Sequence, residues 1–177
     1  MNRAQLEHAI RAACEVSKDQ ELIIFGSQAI LGTYPEAPGD LRASIEIDIQ
    51  PKNRPEAVDD IDGALGEFSM FHRMHGFYVH GILLDAAALP TGWADRTVPI
   101  SHPVGTRGGV GHCIEIHDLA ASKLAAWREK DRVFVTTLLV EHLVVPGVLL
   151  ERIGDLPAGV DRDMLARWVK AVAADLG

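Results

Sequence analysis

Glu46 and Asp48 are the residues whose type and spacing point most directly to chemistry. They stand two apart in Ala43-Ser44-Ile45-Glu46-Ile47-Asp48-Ile49-Gln50. Ala43, Ile45, Ile47 and Ile49 alternate there with Ser44, Glu46, Asp48 and Gln50, which predicts a β-strand over 43–50 with one apolar and one polar face. Side chains two apart on a strand point the same way, with Cα atoms about 6.6 Å apart. Both carboxylates can therefore reach one divalent cation. Upstream, Ile23-Ile24-Phe25-Gly26-Ser27-Gln28 reads as a buried strand entering a Gly-Ser turn and a short helix over 28–31. The N–H groups and positive dipole end at a helix start favour phosphate, which makes Gly26 and Ser27 candidate nucleotide contacts. Together the two segments predict a metal–nucleotide site. Either alone is weak, since an acidic-x-acidic strand is usually a solvated face and Gly-Ser turns are common.

The rest of the chain supplies elements to hold these residues. Leu6, Ile10, Ala13, Cys14 and Val16 fall at helical spacing over 3–17, and Glu21 to Phe25 is the first strand. Two prolines and two glycines make 32–42 a loop. A helix is predicted over 54–65, a His-rich turn at 71–75, and strands at 77–84, 97–101 and 112–116. Leu89-Pro90-Thr91-Gly92-Trp93 is a turn, and Gly105, Gly108, Gly109 and Gly111 form a flexible cluster around Arg107. Arg107 is either a mobile cation facing an anionic acceptor or the tip of a solvent-exposed hairpin. Helices follow over 118–128, 131–143, 147–153 and 162–175, the last capped by Asp161. Strands first and helices after suit an α/β (α+β) fold with a helical C-terminal extension.

A second group lies in Asp118-Leu119-Ala120-Ala121-Ser122-Lys123 and on to Asp131. Asp118 can cap its helix, and Lys123, Trp127 and Lys130/Asp131 recur at helical spacing on one face. Two readings of Lys123 stand: a cation held toward a cleft, or a surface lysine beside a solvated charge run. His72, His75 and His80 have the look of zinc spacing, but no cysteine or carboxylate completes a set in the sequence, and packed or surface histidines are the simpler reading. There is no P-loop and no nucleophile elbow.

The totals exclude several classes. The 177 residues are 47% hydrophobic and 24% charged, enough for one core, and the net charge is −8 from 25 acidic against 17 basic residues. That balance disfavours a nucleic-acid coat, whose affinity comes from phosphate neutralisation. Cys14 and Cys113 lie far apart in apolar contexts and read as buried thiols of a reducing compartment. The N-terminal residues lack an apolar signal region, and Glu141, His142 and Pro146 interrupt the most apolar stretch, so a cytoplasmic protein with no membrane contact is expected.

With both groups in hand, the chain resembles a bacterial family of small nucleotidyltransferase-like proteins of the DNA-polymerase-β-like superfamily, and more distantly the type IV abortive-infection toxin nucleotidyltransferases. The matching pieces are Gly26-Ser27-Gln28-Ala29-Ile30-Leu31-Gly32, Ala43 through Asp48, Ile61-Asp62-Gly63-Ala64-Leu65-Gly66-Glu67, Leu89 through Trp93, and His117-Asp118-Leu119 through Lys123 to Asp131. They span residues from about 22 to 135, and the tail from 145 is weakly covered. The resemblance implies a nucleotidyltransferase-type mixed-sheet palm over 1–117, with a helical region over 118–177 packed on it as one compact domain. It implies that Ser27 touches the triphosphate, that Glu46 and Asp48 hold Mg²⁺ (or Mn²⁺), and that Lys123 and Asp131 match the lysine and aspartate of the toxins' later motif. Lys123 would then contact nucleotide as well.

Three departures accompany the match. The loop after Gly-Ser is long, and the first carboxylate is Glu46 where many relatives carry Asp. A third carboxylate, usual on a neighbouring strand, is not evident; Asp85 is the nearest candidate. Three functions remain open at this level. The first is a metal-dependent transferase moving a nucleotidyl group from an NTP to RNA or protein, toxin-like. The second is a non-catalytic nucleotide-binding regulator. The third is an antitoxin or interaction module with a cognate partner protein, which would need an exposed stripe of Met164, Leu165, Trp168, Val169 and Val172.

Overall fold

The computed structural model describes residues 1–176 and resolves the apolar runs into five strands and eight α-helices. They divide between two units: Met1–Ala86 with Thr97–Ile114, and Ala87–Arg96 with the chain from Glu115 onward.

The first unit opens with α1 (Arg3–Ser17), started by a capping box in which the Asn2 side chain accepts from the Gln5 N–H and the Gln5 side chain accepts from the Asn2 N–H. Next come β1 (Glu21–Phe25), the four-residue α2 (Ile30–Thr33), β2 (Glu46–Pro51), α3 (Val58–Leu65) and α4 (Met70–His75). The unit is completed by β3 (Tyr78–Gly81), β4 (Val98–Ile100) and β5 (Val110–Cys113). The strands form one mixed sheet in the order β3-β2-β1-β5-β4. β1 runs antiparallel to β2 and parallel to β5, β2 runs parallel to β3, and β4 runs antiparallel to β5.

Helices α1 and α3 pack on β2 and β3, and there Ile47, Ile49, Ile61 and Val79 are fully buried with Leu6 and Ile10. Each such side chain contributes about 1.5–3 kcal/mol by leaving water. The pleat then fixes Glu46, Asp48 and Gln50 on the opposite face of β2.

Several local expectations are corrected. The ladder starts at Glu46, not at residue 43, because the Ser44 hydroxyl takes the Glu46 N–H at 3.2 Å, and Ile45 is left 48% exposed. The helix predicted from residue 54 begins as a 3₁₀ turn at Pro55–Ala57. The His-rich turn is the helix α4, capped by Ser69, whose hydroxyl accepts from the His72 N–H at 3.1 Å. Three of the four glycines of the cluster are packed on α1. A Cβ at Gly105 would strike Glu7, one at Gly109 Cys14, and one at Gly111 Ile10, so small residues there let the chain lie against α1. Arg107 is exposed at its tip with φ 51°. Both cysteines are buried and unbonded, and burial foremost pushes their thiols up to about 12.

Asp19 ties the start of β1 to the end of β2. Its buried carboxylate accepts from the N–H groups of Glu21, Asn53 and Arg54 and from Asn53 Nδ2.

The second unit holds α5 (Ile116–Ala126), α6 (Glu129–Val140), α7 (Pro146–Gly154) and α8 (Arg162–Leu176). Glu115, not Asp118, caps α5, accepting from the N–H groups of His117 and Asp118. Asp118 is instead fully buried, gripped by Arg96 through two hydrogen bonds of 2.8 and 2.9 Å, with Arg152 Nε at 3.3 Å. Lys123 and Asp131 do not share one helix face, because α5 stops at Trp127, which adopts φ 54°. Asp161 caps α8 as expected, accepting from the Met164 N–H at 2.9 Å. The α8 stripe is largely packed: Leu165 and Val169 are buried and Trp168 meets Trp127 edge-on at 5.9 Å. Among the described residues no helix is long and apolar enough to cross a membrane.

Two buried carboxylates predict acid sensitivity. Burial raises the pKa of Asp131, yet the hydrogen bond from Arg128 and the charge of Lys123 outweigh it and hold the carboxyl below its ordinary value. Burial likewise opposes, and the four donors around Asp19 outweigh it. A carboxyl depressed on folding contributes stability above its unfolded pKa of about 3.9, lost as pH falls through the folded value. Denaturant unfolding should therefore show stability steady from pH 7 to 5 and falling below about pH 4. Asp19→Asn and Asp131→Asn should each flatten that slope, and an unaltered slope in both would refute the assignment.

Candidate functional site

The parallel register of β2 and β3 sets Glu46 beside Tyr78 and Asp48 beside His80. In-register residues of neighbouring strands face the same way, so the four side chains rise from one face of the sheet. His80 Nδ1 lies 3.0 Å from Asp48 Oδ1 and 3.1 Å from Glu46 Oε1. The Tyr78 phenol, hydrogen-bonded to Glu46, is pushed up to about 12 by burial first and then by the Glu46 charge. One ligand atom each from Glu46, Asp48 and His80 falls within 4.8 Å of the others. All three side chains are partly exposed, so water or a phosphate oxygen can approach the same space. Two carboxylate oxygens and an imidazole nitrogen at this separation fit one divalent ion.

Gly26 builds the wall of this site. It follows Phe25, which pairs with Asp48 across the sheet, and it adopts φ 66°, ψ −169°, a region open essentially to glycine alone. A Cβ there would collide with the Asp48 carboxylate. The Gly-Ser turn and the acidic strand are thus one piece of structure. Ser27 opens a 3₁₀ turn, Ser27–Ala29, that runs on into α2. Gln28 is fully buried and donates from Nε2 to the Ser44 carbonyl at 3.1 Å, tying the turn to the residues that enter β2.

Gly26→Ala is expected to cost about 1–3 kcal/mol in backbone strain and to turn Asp48 away from His80. Thermal melts and a metal titration would register both effects. Unchanged metal affinity in the folded variant would remove Asp48 from the site.

The remaining expected residues are carried by other elements. Asp85 sits on a 3₁₀ turn, Leu84–Ala86, beyond β3 and is not among the three clustered ligands. Lys123 and Asp131 belong to the helical unit, where Lys123 Nζ is 3.2 Å from Asp131 Oδ1 and 4.6 Å above the Phe134 ring. Arg128 closes on the same carboxylate at 2.5 Å.

His80 is the residue that sequence reasoning passed over. Position along the chain groups it with His72 and His75, whereas its partners lie 32 residues away at Asp48 and across the strand pair at Glu46. Alternation through Tyr78-Val79-His80 was the available signal, since it puts His80 on the polar face of a strand.

Residues 4–156 match the family described as "Nucleotidyltransferase of unknown function (DUF6036)". The chain belongs to this family. The match spans all five strands and Gly26, Ser27, Glu46, Asp48 and His80, and it runs through α7, leaving α8 outside. No curated protein and no solved structure gives a match. The mixed five-stranded sheet with eight helices agrees with a nucleotidyltransferase-type fold. Divalent ions are the usual cofactors of nucleotidyltransferases, and among the described residues Glu46, Asp48 and His80 have the donor set to hold one.

Proposed function

We propose that this chain is a metal-dependent nucleotidyltransferase of the DNA-polymerase-β-like superfamily, moving a nucleotidyl group from an NTP to an RNA or protein acceptor. A toxin-like role within that reading is supported by the resemblance to abortive-infection toxins alone. One observation carries it: Gly26 is pressed against Asp48, so a phosphate-type turn and a pair of same-face carboxylates share one site.

Mg²⁺ or Mn²⁺ held by Glu46, Asp48 and His80 would supply the Lewis acidity that the reaction on the α-phosphate requires. The chain's own residues orient the reactants. Gly26 keeps Asp48 in place, Tyr78 donates to Glu46, and Ser27, at the head of its turn, would contact the triphosphate. Lys123 is paired with Asp131, which offsets part of the charge it would bring to a phosphate.

A second reading, a nucleotide-binding regulator without catalysis, is favoured by the imidazole that stands where a third carboxylate would be expected. The interaction-module reading loses its motivating feature with Leu165 and Val169 buried. Incubating the protein with a divalent ion, each α-labelled NTP and bulk cellular RNA or protein separates the first two. Label transferred to an acceptor supports the transferase. Tight NTP binding with no transfer to any acceptor supports the regulator.

A further inference from the structure

We propose that the site selects Mn²⁺ over Mg²⁺, with His80 as the third protein ligand through Nδ1. The inference rests on the metal-dependent reading above and adds the identity of the ion.

His80 is held by the sheet rather than by a loop. β3 pairs with β2 from Tyr78 to Gly81, and Val79 is fully buried, so the strand cannot rotate His80 off its face without exposing Val79. Its Nδ1 edge faces both carboxylates, at 3.0 and 3.1 Å, and so faces the space they share. The donor set is therefore two oxygens and one imidazole nitrogen, with room left for water and phosphate oxygens.

Mg²⁺ is small and hard, demands octahedral oxygen ligation and gives up water reluctantly. An imidazole nitrogen adds little to its binding. Transition ions gain from nitrogen, and among them Mn²⁺ is the one that carboxylates and water also suit. Two carboxylates keep this site hard enough for Mn²⁺, while His80 adds affinity that Mg²⁺ cannot use. The parallel register matters here, because it places an imidazole on the neighbouring strand in line with Asp48.

Electron paramagnetic resonance on the full chain titrated with Mn²⁺ alone tests this. Bound Mn²⁺ should show spin-echo modulation from a directly coordinated ¹⁴N. His80→Ala should abolish that modulation and weaken Mn²⁺ at least about tenfold, while Mg²⁺ affinity, read by competition, changes far less. His80→Asp, which restores a third carboxylate, should shift the preference back toward Mg²⁺. Circular dichroism confirms that both variants fold, as expected for a side chain 35% exposed. Mn²⁺ bound without nitrogen modulation, or an Mn²⁺/Mg²⁺ ratio unmoved by His80→Ala, overturns the assignment and leaves the metal-dependent reading standing. Mn²⁺ binding that survives intact in Glu46→Ala/Asp48→Ala overturns both.

Discussion

Replacing Glu46 and Asp48 together by alanine is expected to lower metal-dependent NTP affinity by about 100-fold or more, and to abolish any transfer, with little loss of stability. The two carboxylates supply the negative charge that draws a divalent ion to the site, and bound metal stabilises charge on phosphate by several kcal/mol. A 100-fold loss corresponds to about 2.7 kcal/mol, well within that range. Stability should hold because both side chains are partly exposed and the apolar face of β2, Ile47 and Ile49, is untouched. Removing two neighbouring like charges also relieves repulsion. Calorimetry of NTP binding with and without the divalent ion, beside thermal melts of the same preparations, measures both halves. Equal NTP affinity in the double variant would end the proposal that these carboxylates form the site.

The second large effect belongs to the helical unit. Asp118→Ala is expected to destabilise that unit by about 3–5 kcal/mol, the usual cost of stripping the partner from a buried charge. Asp118 is fully buried and receives two hydrogen bonds from Arg96 while Arg152 stands at 3.3 Å, so the substitution leaves two guanidinium groups without their carboxylate. Arg96 also donates to the Thr91 carbonyl, and the Thr91 N–H donates to the Asp155 carbonyl, so the segment 87–96 is fastened to the helices through the same cluster. Hydrogen exchange would show lost protection across α5 and α7. Protection as in the native chain would mean that the arginines are satisfied without Asp118.

The sequence by itself determined the local parts. Alternation around Glu46 specified a strand whose two carboxylates share a face, because the pleat has a period of two whatever the strand packs against. Gly26-Ser27 specified the turn, since a backbone at φ 66° and ψ −169° is closed to other residues. Asp161 specified the start of α8, because an aspartate there can satisfy a free helical N–H from its own side chain.

What only the tertiary structure decided are the pairings between distant segments. His80 joined Glu46 and Asp48 through the register of a parallel strand pair, which no spacing along the chain encodes. Asp118 proved to be the anchor for Arg96 and Arg152 rather than a cap, and Lys123 proved to be paired with Asp131 across the break at Trp127. Gly105, Gly109 and Gly111 lie against α1, although the composition of that segment alone suggests freedom. In each case the deciding interaction joins side chains or backbone brought together by folding, and its strength depends on burial that exists only once the core has formed.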